Sequence, residues 1–186
     1  MNEYREEVKK AMTLLGEDPR TIFLGQTVGY SGSNIFGSLE NVSKEKRIEL
    51  PIMEDVQMGM SIGLSLEGFI PISVYPRFDF LICAVNQMVN HLDKCEEMSN
   101  GHFKPKVIII TQVGGTKPLY PGIQHCSDYT EAFKKLLCNI NVVRLEDPEQ
   151  IVPEYKKALE SDKSTLIIEV GDLYNAEIKK EDLYKD

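Results

Sequence analysis

The sequence predicts an α/β fold in which a parallel sheet carries helices on both faces. Five short runs rich in β-branched and aliphatic residues, at 21–24, 70–74, 107–111, 141–145 and 165–170, read as strands, and most lack the alternation of a sheet with one wet face. Segments with apolar residues at helical spacing separate them, as expected of βα units. The 186 residues, 42% hydrophobic, suit one domain with a real core; a chain of this size can bury about 70% of its extended surface.

Taken in order, Tyr4, Val8, Ala11, Met12 and Leu15 share one face of a helix over residues 3–15, with Gly16 as its expected stop. The strand at 21–24 leads into a Gly/Ser-rich loop, 25–38, at a strand end where α/β folds place ligands. Pro51 fixes its own φ and biases Leu50 toward extended geometry, so the chain arrives stretched at a helix opened by Glu54. Gly59 and Gly63 lie on one face of that helix. Each glycine there costs roughly 0.5–1 kcal/mol relative to alanine, which implies close packing against a neighbour, in this domain or across a subunit interface.

After the strand at 70–74, a helix with Leu81, Ala84, Val85, Met88, Val89 and Leu92 on its apolar face carries His91 as a structural residue. A polar connector, 96–106, precedes the strand at 107–111. The loop 112–127 is long enough to signal function or mobility. Its Gly114-Gly115 is not a phosphate loop, since no Gly-Lys-Ser/Thr follows. His125 is the one histidine of that loop, and taken alone such a residue is more often a surface group than a catalyst. Ser127-Asp128 cap a helix through Leu137, Asp147-Pro148 open another reaching Leu159, and the charged tail starts at Gly171, extending onto a partner or fraying.

Twenty-nine acidic against 21 basic residues give a net charge of −8, which disfavours nucleic acid and anionic membranes as partners. The N-terminal residues lack the pattern of a signal peptide and no run is apolar for the roughly 18 residues of a membrane span, so the cytoplasm is the expected location. The four cysteines lack zinc-site spacing and read as free thiols. Cys126 beside His125 is an alternative nucleophile, though sequence neighbours rarely face each other productively.

The motif Glu54-x4-Gly59-x3-Gly63-x4-Gly68, preceded by Pro51-Ile52 and followed by residues 69–75, Phe78-Asp79-Phe80 and Gln124-His125, resembles the pyrimidine-binding domain of thiamine-diphosphate enzymes. It is most similar to the beta subunit of 2-oxoacid dehydrogenase E1 components, with transketolase more distant. The resemblance implies a single pyrimidine-binding domain over residues 1–186. It assigns catalytic roles to Glu54, which would activate the cofactor at the aminopyrimidine N1′, and to His125, which would meet substrate. Glu54 also serves cofactor binding, with Phe80 as the stacking ring and Ile52 as an apolar contact. Without the family, Glu54 reads as a helix-dipole complement and Phe78 with Phe80 as a core pair.

The family's Gly-Asp-Gly metal motif is missing; Gly171-Asp172-Leu173 is only a partial match. The resemblance therefore implies that Mg²⁺ and the diphosphate are held by a separate E1 alpha-like subunit, and that the substrate is a small 2-oxo acid or ketose. The C-terminal domain of E1 beta subunits does not follow. Gln26-Thr27 stand where the family commonly has two acidic residues, which puts proton relay between paired sites in doubt. Two alternatives remain: a nonenzymatic scaffold that kept the fold, and a flavodoxin-like nucleotide or flavin binder.

Overall fold

Six strands, all parallel, form one sheet: β1 (Thr21–Gly25), β2 (Arg47–Glu49), β3 (Ile70–Tyr75), β4 (Ile108–Val113), β5 (Asn141–Leu145) and β6 (Thr165–Val170), in the spatial order β2-β1-β3-β4-β6-β5. The structure is a computed structural model that describes residues 3–31, 33–117 and 119–174. Every residue of β3 and β6 is buried, which is why those runs are largely apolar, with Ser73, Thr165 and Glu169 as buried polar exceptions, instead of alternating. The expected α/β class and all five expected strands are present. The sixth, β2, is a three-residue, half-buried edge strand whose Arg47 and Glu49 gave no strand signal.

The helices are α1 (Glu3–Glu17), α2 (Asn34–Ser38), α3 (Glu54–Leu66), α4 (Phe78–Leu81), α5 (Cys95–Met98), α6 (Thr130–Leu136) and α7 (Pro148–Glu160). Helix α1 packs on α7 and α2, while α3 packs on β3 and on the helical turns that follow α4. The expected amphipathic helix over 81–92 runs as one helical stretch whose winding changes, from α4 through a 3₁₀ turn at Ile82–Ala84 to a π turn at Gln87–Leu92. His91 is exposed on it.

Two sequence expectations need correction and a third is narrowed. Gly16 does not end α1, which runs to Glu17; it sits inside the last turn facing the Val42 side chain. The tail does not begin at Gly171: residues Gly171–Tyr174 form a buried 3₁₀ turn, and the Tyr174 ring packs edge-on against Tyr4 at 5.4 Å. The rest of the tail lies outside the described residues. At Gly59 and Gly63, apart from chain neighbours and the backbone of α3 itself, no atom of the described residues comes within 4 Å of the position a Cβ would take, so of the two expected packing partners the one within this domain is not found. That open face of α3 also exposes Met53, Val56, Met60 and Leu66. Among the described residues no helix is long and apolar enough to cross a membrane.

Candidate functional site

Strand β1 lies between β2 and β3, so the connections leaving it and arriving at β3 pass to opposite sides, and a crevice is left beyond the carboxyl ends of β1 and β3. A cleft of about 790 Å³ occupies this place. Its walls come from the ends of three strands: Gln26 and Thr27 after β1, Pro76 and Arg77 after β3, and Gln112, Gly114 and Gly115 at β4. Ile52 and Phe80 line it as well.

The β1 side is held under strain. Thr27 has φ of 58°, a left-handed conformation that a β-branched residue adopts at a cost of about 1–3 kcal/mol. Glu49, at the end of β2, compensates. Its carboxylate accepts the backbone N–H of Thr27 at 2.8 Å, Val28 at 2.9 Å and Gly29 at 2.7 Å. The Thr27 and Ser33 hydroxyls also bond at 2.7 Å, which ties this loop to the start of α2. Gln26 Nε2 is buried there without a hydrogen-bond partner.

On the β4 side, the chain threads between two charged groups. Asp172 accepts hydrogen bonds from Thr116 N at 2.6 Å and Thr116 Oγ1 at 3.0 Å, while Arg77 Nη1 donates to Gly114 O at 2.9 Å and His125 O at 2.7 Å. Gly114 and Gly115, with φ of 69° and 73°, fit this gap because a Cβ on the first would come 2.5 Å from Asp172 Oδ2 and one on the second 3.3 Å from Arg77 Nη1. Arg77 thereby fixes the loop that presents His125. Neither Arg77, Asp172 nor Glu49 was singled out as a site residue from sequence, because each acts through backbone groups of residues remote in the chain.

Phe78 and Phe80, open between core and site in the sequence, divide between the two. Phe78 is buried, edge-on to Phe133 at 4.9 Å and Tyr129 at 5.6 Å. Phe80 lines the cleft, and the His125 ring stands edge-on to it at 5.4 Å. His125 Nδ1 is buried with no hydrogen-bond partner. Burial raises the neighbouring Cys126 thiol pKa, which works against a thiolate nucleophile.

Glu54 is the first residue of α3, partly buried, two positions beyond Ile52. Its carbonyl accepts the Tyr75 hydroxyl at 3.3 Å at the carboxyl end of β3. Its carboxylate makes no hydrogen bond or ion pair among the described residues. Helix α3 is locked to the sheet by Gln57, whose Nε2 donates to Ser73 Oγ at 3.1 Å and Val74 O at 2.9 Å, and by Ser61 Oγ to Ser73 Oγ at 3.0 Å. Of the four residues chosen from sequence, Ile52 and Phe80 wall the cleft and His125 contacts Phe80. Glu54 stands at the same end of the sheet, outside the walls this chain closes by itself. No cluster of three His, Cys, Asp or Glu with metal-ligand geometry occurs among the described residues.

Residues 2–175 match the family described as transketolase, pyrimidine binding domain. The chain is 27% identical over 161 residues to the pyruvate dehydrogenase E1 component subunit beta of Chaetosphaeridium globosum, covering 85% of this chain and 48% of that protein. It is 27% identical over 166 residues to subunit beta-3, chloroplastic, of Oryza sativa subsp. japonica, covering 88% and 42%. The chain thus spans about half the length of the curated relatives it matches. Two solved structures share its fold: a split gene transketolase described as an inactive beta4 tetramer (TM-score 0.68, 24% identity, 89% of this chain and 50% of that one) and transketolase from Campylobacter jejuni (0.62, 16%, 88% and 25%). The cytoplasmic expectation is corrected here. Relatives from Oryza sativa and Arabidopsis thaliana are chloroplastic, and charge balance and hydropathy do not decide between compartments.

Proposed function

The chain belongs to the transketolase pyrimidine-binding domain family, and from this we propose that it is the pyrimidine-binding subunit of a two-chain thiamine-diphosphate-dependent enzyme, of E1 beta or transketolase type. The observation that carries the reading is the cleft at the carboxyl ends of β1, β3 and β4, with Phe80 and Ile52 in its wall, His125 against Phe80, and Glu54 opening α3 at the same sheet end. A flat heteroaromatic ring fits an apolar wall with an aromatic face, and the partnerless Gln26 Nε2 and His125 Nδ1 await polar groups.

Thiamine diphosphate supplies an acidic thiazolium C–H and an aminopyrimidine that serves as its base. Glu54 is the residue that would hold a proton at the ring N1′. Phe80 stacks on the ring and Ile52 excludes water from its edge. His125, steadied by Phe80 and by the Arg77 clamp on its carbonyl, donates a hydrogen bond to oxygen charge that develops on the substrate, a small 2-oxo acid or ketose. A separate E1 alpha-like subunit closes the Glu54 side and holds Mg²⁺ and the diphosphate.

The test is Glu54→Gln in the reconstituted complex, followed by exchange of the cofactor C2 proton. Exchange should slow by orders of magnitude while the cofactor still binds; a wild-type rate would remove the chemical centre of the reading.

A further inference from the structure

Arg77 carries more hydrogen-bonding capacity than its clamp uses. A guanidinium presents five N–H donors in a fixed fork and keeps its charge at any pH a protein meets. Nη1 donates to Gly114 O at 2.9 Å and His125 O at 2.7 Å, so both its hydrogens go to neutral carbonyls. Nε and Nη2 donate to no group of the described residues, and neither is buried without a partner, so that edge is open. Arg77 forms no ion pair among the described residues, although it is partly buried. Holding two carbonyls needs donors and not a charge; the charge and the second edge of the fork have no use within the chain.

That edge belongs to the cleft. Arg77 is one of its walls, and a Cβ on Gly115, the wall residue beside it, would stand 3.3 Å from Nη1 and 3.7 Å from Nη2. A side chain at that position would cover the guanidinium. Of the residues lining the cleft, Arg77 and Lys117 are the charged ones and both are cations, in a chain whose net charge is −8. Two carboxylates of neighbouring segments are engaged elsewhere: Asp79 accepts Ser127 N–H at 3.2 Å and Asp172 accepts the N–H and hydroxyl of Thr116. A cleft with cations and no carboxylate in its wall favours a negatively charged ligand.

The clamp also prepares the fork. Fixing Nη1 on two carbonyls orders a long side chain before any ligand arrives, which removes the entropy cost that weakens most exposed ion pairs. Nε–H and one N–H of Nη2 run parallel along the free edge, the geometry that takes two oxygens of one oxyanion. His125, whose carbonyl Arg77 holds, sets its ring against Phe80, which ties the guanidinium to the aromatic wall.

We propose that Arg77 is the anion-recognition residue of the cleft, its Nε/Nη2 edge taking two oxygens of a carboxylate or phosphate on a small ligand whose flat part rests against Phe80 and Ile52. A neutral ligand of the same shape leaves the guanidinium without a counter-charge and binds more weakly. The proposal rests on the cleft being the substrate site of the functional reading, which it deepens by giving the substrate a negative charge, and it is independent of how Glu54 acts.

The full chain, ¹⁵N-labelled, tests this by NMR titration with benzoate, phenyl phosphate and benzamide, three probes that share a ring and differ in carrying a carboxylate, a phosphate or a neutral amide. Benzoate or phenyl phosphate should shift the Arg77 Nε–Hε signal and bind at least tenfold more tightly than benzamide; the tighter of the two says which oxyanion the edge prefers. Arg77→Met should remove the preference, while Lys156→Met, which takes the same charge from an exposed position on α7, should keep it. Because losing Arg77 also frees the loop it clamps, the wild-type Nε–Hε shift is the measurement that needs no variant. An unmoved Nε–Hε signal, no binding of any probe at millimolar concentration, equal binding of benzamide and both anions, or a preference that survives Arg77→Met would overturn the proposal. Failure of the thiamine reading would show instead in C2 exchange by Glu54→Gln, which this titration does not touch.

Discussion

Phe80 and His125 stand edge-to-face, ring centroids 5.4 Å apart and planes at 86°, at the wall of the cleft. One comes from the helix after β3 and the other from the long loop after β4, and Arg77 joins these elements by bonding to Gly114 O and His125 O. The contact makes the histidine's position depend on the residue expected to stack on the cofactor.

The two residues should accordingly fail in different ways. In the reconstituted complex, His125→Ala should leave C2 proton exchange near the wild-type rate and lower turnover after that step by about 10²-fold or more, the scale for losing one oxyanion donor. Phe80→Ala should weaken cofactor binding as well. Equal loss of C2 exchange in both variants would contradict the division of roles.

The loop after β1 stores strain that a conservative change relieves. Thr27→Asn, a residue that tolerates the left-handed region, should stabilise the chain by about 1 kcal/mol, or roughly 2–4 °C in Tm. Glu49→Ala deprives three consecutive N–H groups of their acceptor and should cost about 2 kcal/mol. Thermal unfolding of both variants checks the pair; a lower Tm for Thr27→Asn would show that its native φ is not the costly feature.

Burial raises the Glu169 carboxyl pKa above its ordinary value of 4.5, against the pull of its three donors. A group raised in the folded state contributes stability that is fully present below its unfolded value and lost as pH rises through the folded one. Wild-type stability should therefore fall relative to Glu169→Gln as pH is raised from about 4.5 toward 7. Urea titrations of both proteins across that window report it, and a constant difference would mean that Glu169 is not shifted.

The open face of α3 bears on assembly. Gly63 is exposed with nothing within 4 Å, so Gly63→Leu should leave the melting temperature of the isolated chain within about 2 °C, or raise it slightly through helix propensity. If that face meets a helix of another subunit, the same change should weaken association by at least tenfold in sedimentation. Unchanged association would exclude the glycine face as the contact.

Local chemistry made much of this protein legible before folding. Short runs rich in aliphatic and β-branched residues announced five of six strands, Pro51 with Glu54 marked the start of α3, and Asp147-Pro148 marked that of α7, because these signals act within a few residues. The edge strand β2, the end of α1 and the burial of Gly171–Tyr174 were not legible, since each depends on what a distant segment packs against it. The site divides in the same way. Ile52, Glu54, Phe80 and His125 stood out through a pattern in the chain, but tertiary structure decided that Phe78 goes to the core and Phe80 to the cleft. It also supplied the groups that hold the site: Glu49 reaching 20–22 residues back to the amides of 27–29, Arg77 reaching His125 O across 48, and Glu169 reaching Gln112 across 57. Sequence periodicity is blind to such pairs, because only the parallel sheet, by aligning strands far apart in the chain, brings their ends together.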